Sequence, residues 1–364
     1  MKVVFFVNII RQARCIRRIE DFINHGYDVE VYGFDREGDN RKSPTFEHNI
    51  LGKVSRTSSY FERLMMMKQC IKDVVAKCDK DTIFYIFSLD VAIAFMLNGG
   101  LKRKYIYEVS DLMELEVNNS ILSKILISVN RHIINRSEHT IMTSPGFATF
   151  YFGKNIPDKI TIVANKLNKR CLEIGQPKER CFNVDKINIG FTGAIRSKAV
   201  YNFIEVVGSQ FPNISVNLHG IFTDDKIYGA KIREAVSRYD NVNYFGPFKN
   251  PDDFPEIYSN IDLVLCLYTA KGNDRILEPN KLYESIFYEK PIIVSKNTFT
   301  GDFVEEKMIG YTVDGENQDD IISLLKSITS EGYHLRTKNC AMIPKESSVD
   351  DTTELFKNIE TLLK

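Results

Sequence analysis

Two consecutive doubly wound α/β domains are the architecture this sequence predicts. Three observations carry that reading. Apolar, strand-like runs alternate with segments of helical spacing; the alternation lapses over a polar stretch, 165–185, and then restarts; and 364 residues are more than one ordinary core holds. The composition, 43% hydrophobic and 26% charged, is that of a soluble globular chain. Lys and Arg number 48, as do Asp and Glu, so there is no net charge to draw in nucleic acid, and none is expected as a partner. Residues 1–165 carry 23 basic and 19 acidic side chains against 25 and 29 in the remainder, a +4/−4 split that only biases the first half toward an anionic surface.

The first half opens on a continuous apolar run, 3–7, followed by helical spacing over 9–24, where Ile16, Ile19 and Ile23 share a face. His25-Gly26 stops that helix and 29–34 is a second strand, completing a βαβ unit. Its first turn reads Asn8-Ile-Ile-Arg11-Gln12 and lacks Gly-x-Gly-x-x-Gly, which disfavours a dehydrogenase-type dinucleotide site. Residues 35–49 read as a loop and 61–77 as a helix containing Met65, Met66 and Met67, a core run rather than a membrane contact. Strands over 82–87 and 104–109, a helix over 121–135 with Lys124, Arg131 and Arg136 on or beside it, and strands over 139–143 and 160–163 complete the set. The polar stretch 165–185 reads as the linker.

The second half repeats the pattern: strand 187–191, helix 199–209, strand 215–219, helix 224–238, strand 242–245, helix 251–260 and strand 263–267. After a loop come a short helix ended by Glu289-Lys290 and an apolar strand over 291–294, then 301–306, 310–313 and helix 319–328, and a last helix, 351–363, stands apart from the alternation. Two such sheets predict facing domains with ligands in the cleft at the carboxyl ends of their strands. The seven cysteines show neither a C-x-x-C pair nor metal spacing and read as reduced thiols of the cytoplasm. Met1-Lys2 leads straight into a strand, so no signal peptide is expected, and the longest apolar run, 83–97, contains Asp90 and is too short to span a bilayer.

The most informative stretch is 278–295, EPNKLYESIFYEKPIIVS. Pro279 suits a first helical turn, and Asn280, Lys281 and Glu284 then share one helix face near the N-terminus. That end offers unpaired N–H groups and partial positive charge, which suit a phosphate; Lys281 adds a full charge. Glu284 can accept two hydroxyl hydrogen bonds, as a ribose diol offers. The bland alternative is an ordinary exposed helix pair of small energetic weight. The functional reading expects Glu284→Ala to abolish nucleotide binding while leaving the unliganded protein's melting point nearly unchanged.

Four pieces in order make the second half resemble the GT-B glycosyltransferases, and among them glycosyltransferase family 4: Ile189-Gly-Phe-Thr-Gly193 followed by Arg196 and Lys198; Val242-Asn-Tyr-Phe-Gly246; Ile257-Tyr-Ser-Asn-Ile-Asp262; and Pro279-Asn-Lys-Leu-Tyr-Glu284 with Lys290-Pro291. In the first half, residues 11–34 resemble the opening βαβ of bacterial capsule and surface-polysaccharide transferases. Tyr107-Glu-Val-Ser-Asp111 stands where the family has a His-Asp pair near the acceptor, with Ser110 in place of the His. The family's first Glu of a two-Glu motif falls on Ile276; Glu278 is close but out of register. The resemblance implies an N-terminal acceptor domain, 1–165, a nucleotide-sugar domain, 166–349, and a final helix, 350–364, that returns to the first. It implies a basic diphosphate clamp of Arg196, Lys198 and Lys281 after the Gly193 turn, with Glu284 on the ribose. Asn280 and Leu282 line the same helix, Phe245, Gly246, Pro247 and Phe248 the nucleobase pocket, and Gly272 lets backbone N–H groups approach phosphate. Asp111 is the acceptor-side candidate, with Asn8 and Arg11 at the edge of the cleft.

Each has a bland reading: Arg196 and Lys198 as solvated loop charges, Asp111 as a helix cap, Arg11 as a helix-surface charge, Glu108 as a strand residue and His219 as a packed histidine. The reaction implied is transfer from a nucleoside-diphosphate sugar to a lipid-linked or oligosaccharide acceptor, with retention of configuration. The resemblance likewise implies no metal or other cofactor; beside it, no D-x-D-like motif stands at a strand end, and Asp224-Asp225 reads as a helix start. Anionic lipid could be met through Lys102-Arg-Lys104 and the basic helix through Arg136. The rivals are a non-catalytic nucleotide-sugar-binding partner subunit, a sugar-nucleotide 2-epimerase and a phosphorylase of the same fold.

Overall fold

The structure, a computed structural model, describes residues 2–38, 41–55, 58–175, 177, 181–223 and 227–363. The chain divides into two compact units, one comprising Met1–Ala164 with Asp351–Lys364 and the other Asn165–Asp350.

The first unit runs β1 (Lys2–Val7), α1 (Ala13–Asn24), β2 (Asp28–Arg36), β3 (Asn49–Val54), α2 (Tyr60–Lys77), β4 (Ile83–Phe87), α3 (Leu89–Leu97), β5 (Tyr105–Val109), α4 (Ser120–Arg136), β6 (His139–Met142), α5 (Pro145–Phe152) and β7 (Ile160–Ile162). Its seven strands pair in the order β3-β2-β1-β4-β5-β6-β7, parallel throughout. The order reverses between β1 and β4, so the connections after those two strands diverge and leave a crevice there. Strands covered on both faces must be apolar on both, and Phe5, Phe6, Phe84 and Tyr85 are fully buried, Phe5 stacked on Tyr85 at 4.6 Å.

The second unit runs β8 (Ile187–Ile195), α6 (Lys198–Gln210), β9 (Ile214–Phe222), α7 (Tyr228–Arg238), β10 (Val242–Gly246), α8 (Phe254–Ser259), β11 (Leu263–Cys266), α9 (Asn280–Phe287), β12 (Ile292–Ser295), α10 (Phe299–Lys307), β13 (Gly310–Val313), α11 (Gln318–Ser327) and α12 (Ser330–Ala341). Its sheet is also parallel, in the order β10-β9-β8-β11-β12-β13, with the reversal between β8 and β11. Asp262 stitches that junction from below: its Oδ2 accepts from the Asn188 N–H at 2.8 Å. The last helix, α13 (Thr353–Leu363), packs on the first unit, with Phe356 stacked on His25 at 3.6 Å and Asn358 Nδ2 donating to Thr161 Oγ1 at 2.8 Å.

Several sequence expectations are corrected. The helix read from Ile9 begins at Ala13, because Ile10 turns inward beneath the sheet edge, its N–H bonded to Phe34 O at 2.9 Å. The apolar run 83–97 is a strand and a helix, bent at Ser88, whose φ is 67°. The polar stretch 165–185 is tied into the second unit: Leu167 bridges Val349, and the Asp350 N–H bonds Leu167 O at 2.7 Å. The charges of Lys102-Arg-Lys104 are not all available, because Arg103 caps the end of α2 through the carbonyls of Val75 and Cys78, both at 3.1 Å. Asp224 and Asp225 lie outside the described residues. No helix among the described residues is long and apolar enough to cross a membrane.

Candidate active site on the second unit

The sequence places Pro279 at the entry of α9, and the structure makes it the N-cap residue, with extended backbone. Helical geometry leaves the first N–H groups of α9 without a carbonyl one turn back. Lys281 and Glu284 follow on one face, but that face is not exposed. Lys281 is 7% and Glu284 4% accessible, and every residue from Lys281 to Phe287 is buried. This corrects the exposed-pair reading, and because its loss would strand two buried hydroxyl donors, Glu284 also bears on the stability of the unliganded protein, against the expectation of a nearly unchanged melting point.

Burial of a carboxylate demands partners, and Glu284 has two. Thr192, near the end of β8, donates its hydroxyl to Oε2 at 2.7 Å, and Tyr258 of α8 donates to the same oxygen. The second oxygen, Oε1, carries no hydrogen bond among the described residues. Burial drives the Tyr258 phenol well above its ordinary pKa, reinforced by the Glu284 charge, so it remains a donor. Lys281 points between two aromatic rings, its Nζ 4.5 Å from the centroid of Phe191 and 5.7 Å from that of Tyr268. Burial opposes the charge, but Tyr268, Cys266 and Glu284 outweigh it, and the pKa lies above the ordinary lysine value.

The turn after β8 meets this face. Gly193 sits at φ 113°, and its neighbour in the register, Gly220 at the same level of β9, could not carry a Cβ, which would lie 1.8 Å from the Gly193 carbonyl oxygen. A Cβ on Gly193 itself would stand 3.6 Å from Lys281 Nζ, so the glycine turn and the ammonium are neighbours. Beyond the turn, Arg196 and Lys198 are exposed, Lys198 standing 3.9 Å from Glu316, and between them the Ser197 hydroxyl is buried at the start of α6 without a partner among the described residues.

The base-pocket candidates lie after β10. Phe245 is 61% exposed and is backed by His219, whose ring stacks on it at 4.7 Å and 7°. His219 is thus a packed histidine, its pKa lowered mainly by burial. Gly246 takes φ 82°, Pro247 is exposed, and Phe248 packs on Phe254 at 5.5 Å. Gly272, φ 56°, opens a short turn of the 270–278 loop. Asn280 is half-buried at the helix start, whereas Leu282 is 1% exposed, a core residue whose N–H bonds Pro279 O at 3.0 Å. Glu278 is committed to its own helix: Tyr283 donates to its Oε2 at 2.5 Å, and burial raises its pKa.

In the first unit, Asn8 is half-buried after β1, and Arg11 is engaged by Asp35 at 3.3 Å and by the Arg41 carbonyl at 2.6 Å. Asp111 is exposed after β5. Glu108 lies within β5, fully buried and paired with Arg18 Nε at 3.0 Å. Thr192, Tyr258, Phe191 and Tyr268, which hold the two charged groups of α9, went unnamed as site residues. The first three stand inside the sequence pieces quoted above, so the signal was present but read as strand or helix pattern.

No protein-family profile matches this chain. It is 24% identical over 292 residues to the succinoglycan biosynthesis protein ExoL of Rhizobium meliloti (strain 1021), covering 74% of this chain and 69% of that one. Over 245 residues it is 23% identical to TuaH of Bacillus subtilis (strain 168), named as a teichuronic acid biosynthesis glycosyltransferase, with 62% of this chain and 58% of that one covered. Among solved structures, sucrose-phosphate synthase from Thermosynechococcus elongatus superposes over 100% of this chain and 98% of its own, with a TM-score of 0.72 and 14% identity. The chain is a GT-B glycosyltransferase. Anabaena HepE in complex with UDP and glucose shares the fold with this glycosyltransferase at a TM-score of 0.69 and 13% identity, over 99% of this chain and 98% of that one.

Proposed function

We propose that this glycosyltransferase belongs to family 4, takes a nucleoside-diphosphate sugar on its second unit and passes the sugar to a lipid-linked glycan in surface-polysaccharide assembly. The observation that carries the reading is the pair on α9: a glutamate held by two hydroxyls on one oxygen, leaving the other for a ribose diol, and one turn away an ammonium pinned beside a glycine turn. A carboxylate and an ammonium buried at one helix start match the two ends of a ribose–diphosphate unit. The exposed face of Phe245 suits a stacked base. The succinoglycan and teichuronic acid names of the relatives, and the UDP bound to HepE, support the donor class and the polysaccharide setting.

In this reading the bond from the anomeric carbon to the diphosphate oxygen breaks through an oxocarbenium-like state, an acceptor hydroxyl oxygen bonds to that carbon with retention, and the acceptor's proton passes to the departing diphosphate, which leaves with the electron pair of the broken bond. Lys281, the first N–H groups of α9, and Arg196, Ser197 and Lys198 at the start of α6 take up the charge that develops, without a metal. A thermal-shift panel of UDP-, GDP-, ADP- and CMP-sugars tests the donor. One class should raise the melting point, since a ligand bound only by the native state stabilises it, and a panel in which no nucleotide sugar does so contradicts the reading.

For the acceptor's lipid, α4 is the surface of interest. It carries Lys124, Arg131 and Arg136 and no acidic residue, and exposes Ile121, Leu122 and Ile125. Lys104 does not extend this patch toward Lys124. It precedes β5, whose Tyr105 bonds the Ile133 carbonyl at the far end of α4. In flotation with phosphatidylglycerol-containing vesicles, wild-type protein should rise and an Ile121→Ser, Ile125→Ser variant should remain below; equal flotation of both removes α4 from the account.

A further inference from the structure

The carboxyl edge of the first unit's sheet holds a second polar cluster, assembled from three separate connections beside the strand-order reversal. After β4, Ser88 adopts φ 67°, a conformation side chains seldom take, and its hydroxyl and the Val91 N–H (2.9 Å) both reach Asp90 Oδ1. After β5, the fully buried Glu114 accepts at Oε1 from Asn130 Nδ2 (2.8 Å) and the Tyr151 hydroxyl, while its Oε2 is buried with no partner among the described residues. Tyr107 fixes Asn130 from beneath, donating to its Oδ1 at 2.9 Å. At the start of α2, the Tyr60 hydroxyl and Arg63 Nε are likewise buried without a partner among the described residues, the guanidinium 5.9 Å from the Tyr60 ring centroid.

These groups sense one another. Tyr60 feels the charges of Asp90, Arg63 and Glu114, and Asp90 feels Arg63. Burial pushes the Tyr60 phenol up to about 12, keeping it a donor, and holds the Asp90 carboxyl above its usual range. A folded interior rarely leaves a carboxylate oxygen, a phenol and a guanidinium N–H all unpartnered. α2 packs on α3, and α3 on α4, whose Asn130 holds Glu114, so the three atoms belong to one packed cluster beside a strained residue, and their remaining hydrogen bonds are left for a ligand.

We propose that Tyr60, Arg63, Asp90 and Glu114 form a carbohydrate-binding site that takes the hydroxyls of a neutral sugar. Carboxylates accept from vicinal hydroxyls, and the phenol and guanidinium donate to the remaining oxygens. Two carboxylates against one guanidinium leave the site net negative, so a uronate is repelled. Assigning this sugar to the acceptor rests on the glycosyl-transfer reading above; the binding itself does not.

Saturation-transfer NMR with methyl β-glucoside, methyl β-galactoside, methyl α-mannoside and methyl β-glucuronide, each at millimolar concentration, tests it. At least one neutral glycoside should bind and the glucuronide should not. Asp90→Asn, Tyr60→Phe and Arg63→Gln, each checked for an unchanged circular-dichroism spectrum, should weaken that binding about tenfold. No signal from any neutral glycoside, signals unchanged in all three variants, or preferential binding of the glucuronide overturns the site. The melting shift with UDP, read on the same samples, separates the two claims. A shift without glycoside binding removes this site and leaves the donor reading intact; glycoside binding without a shift with any nucleotide keeps the site and removes its assignment to an acceptor.

Discussion

The two units share one winding, a parallel sheet whose order reverses beside its first strand, yet they equip that reversal differently. The second unit concentrates its charged groups on one short helix, where Lys281 and Glu284 stand three residues apart. Hydroxyls and rings from β8, α8 and the end of β11 hold them. The first unit gathers Tyr60, Arg63, Asp90 and Glu114 from three connections and leaves several of their atoms unpartnered. A site concentrated on one helix can be preset to a single geometry by the core beneath it. One spread over separate connections takes its final shape only when a ligand bridges them.

Presetting can be broken directly, and the largest effect should come from Glu284. Two ribose hydrogen bonds to a charged acceptor are each worth about 1.5 kcal/mol, so Glu284→Gln should weaken UDP about a hundredfold by calorimetry. Tyr258→Phe, which leaves the carboxylate in place but loosens it, should cost about tenfold and blur the preference for UDP over its 2′-deoxy analogue. Unchanged affinity in both variants would mean the ribose is held elsewhere.

A smaller effect sharpens the contrast from the side of the first unit, where His139 is buried against Thr161 at 2.8 Å. Burial, with help from Lys159, lowers its pKa to about 4 from 6.5. The folded state therefore prefers the neutral ring, and this contribution is complete above pH 6.5 and is lost as pH falls from there toward 4. Denaturant titrations at pH 7 and pH 5 should show about 1–2 kcal/mol less stability at the lower pH, and His139→Gln should reduce that difference. An identical pH dependence in the variant would show that other groups carry it.

How much of this was legible in the sequence follows the same division. Strands covered on both faces announce themselves as apolar runs, and those read at 3–7, 82–87, 187–191 and 291–294 each fall on a strand of the structure. The edge strand β3, half-exposed along its length, resembles a loop, and α12, with little apolar stripe, resembles nothing in particular. The Lys281–Glu284 spacing gave a shared helix face. Its burial was not legible, because every residue of α9 from Lys281 onward packs on something, and which partners those are depends on tertiary contacts with Phe191, Thr192, Tyr258 and Tyr268. The first unit's cluster was invisible for a related reason: Tyr60, Asp90 and Glu114 are ordinary residues at ordinary positions until β4 and β5 bring their connections together.

A crystal structure with UDP bound addresses the central claim most directly. The ribose hydroxyls should lie within hydrogen-bond distance of Glu284 Oε1, with the diphosphate against Lys281 and the turn at Gly193. A nucleotide bound away from α9, or a ribose whose hydroxyls contact neither oxygen of Glu284, would contradict it.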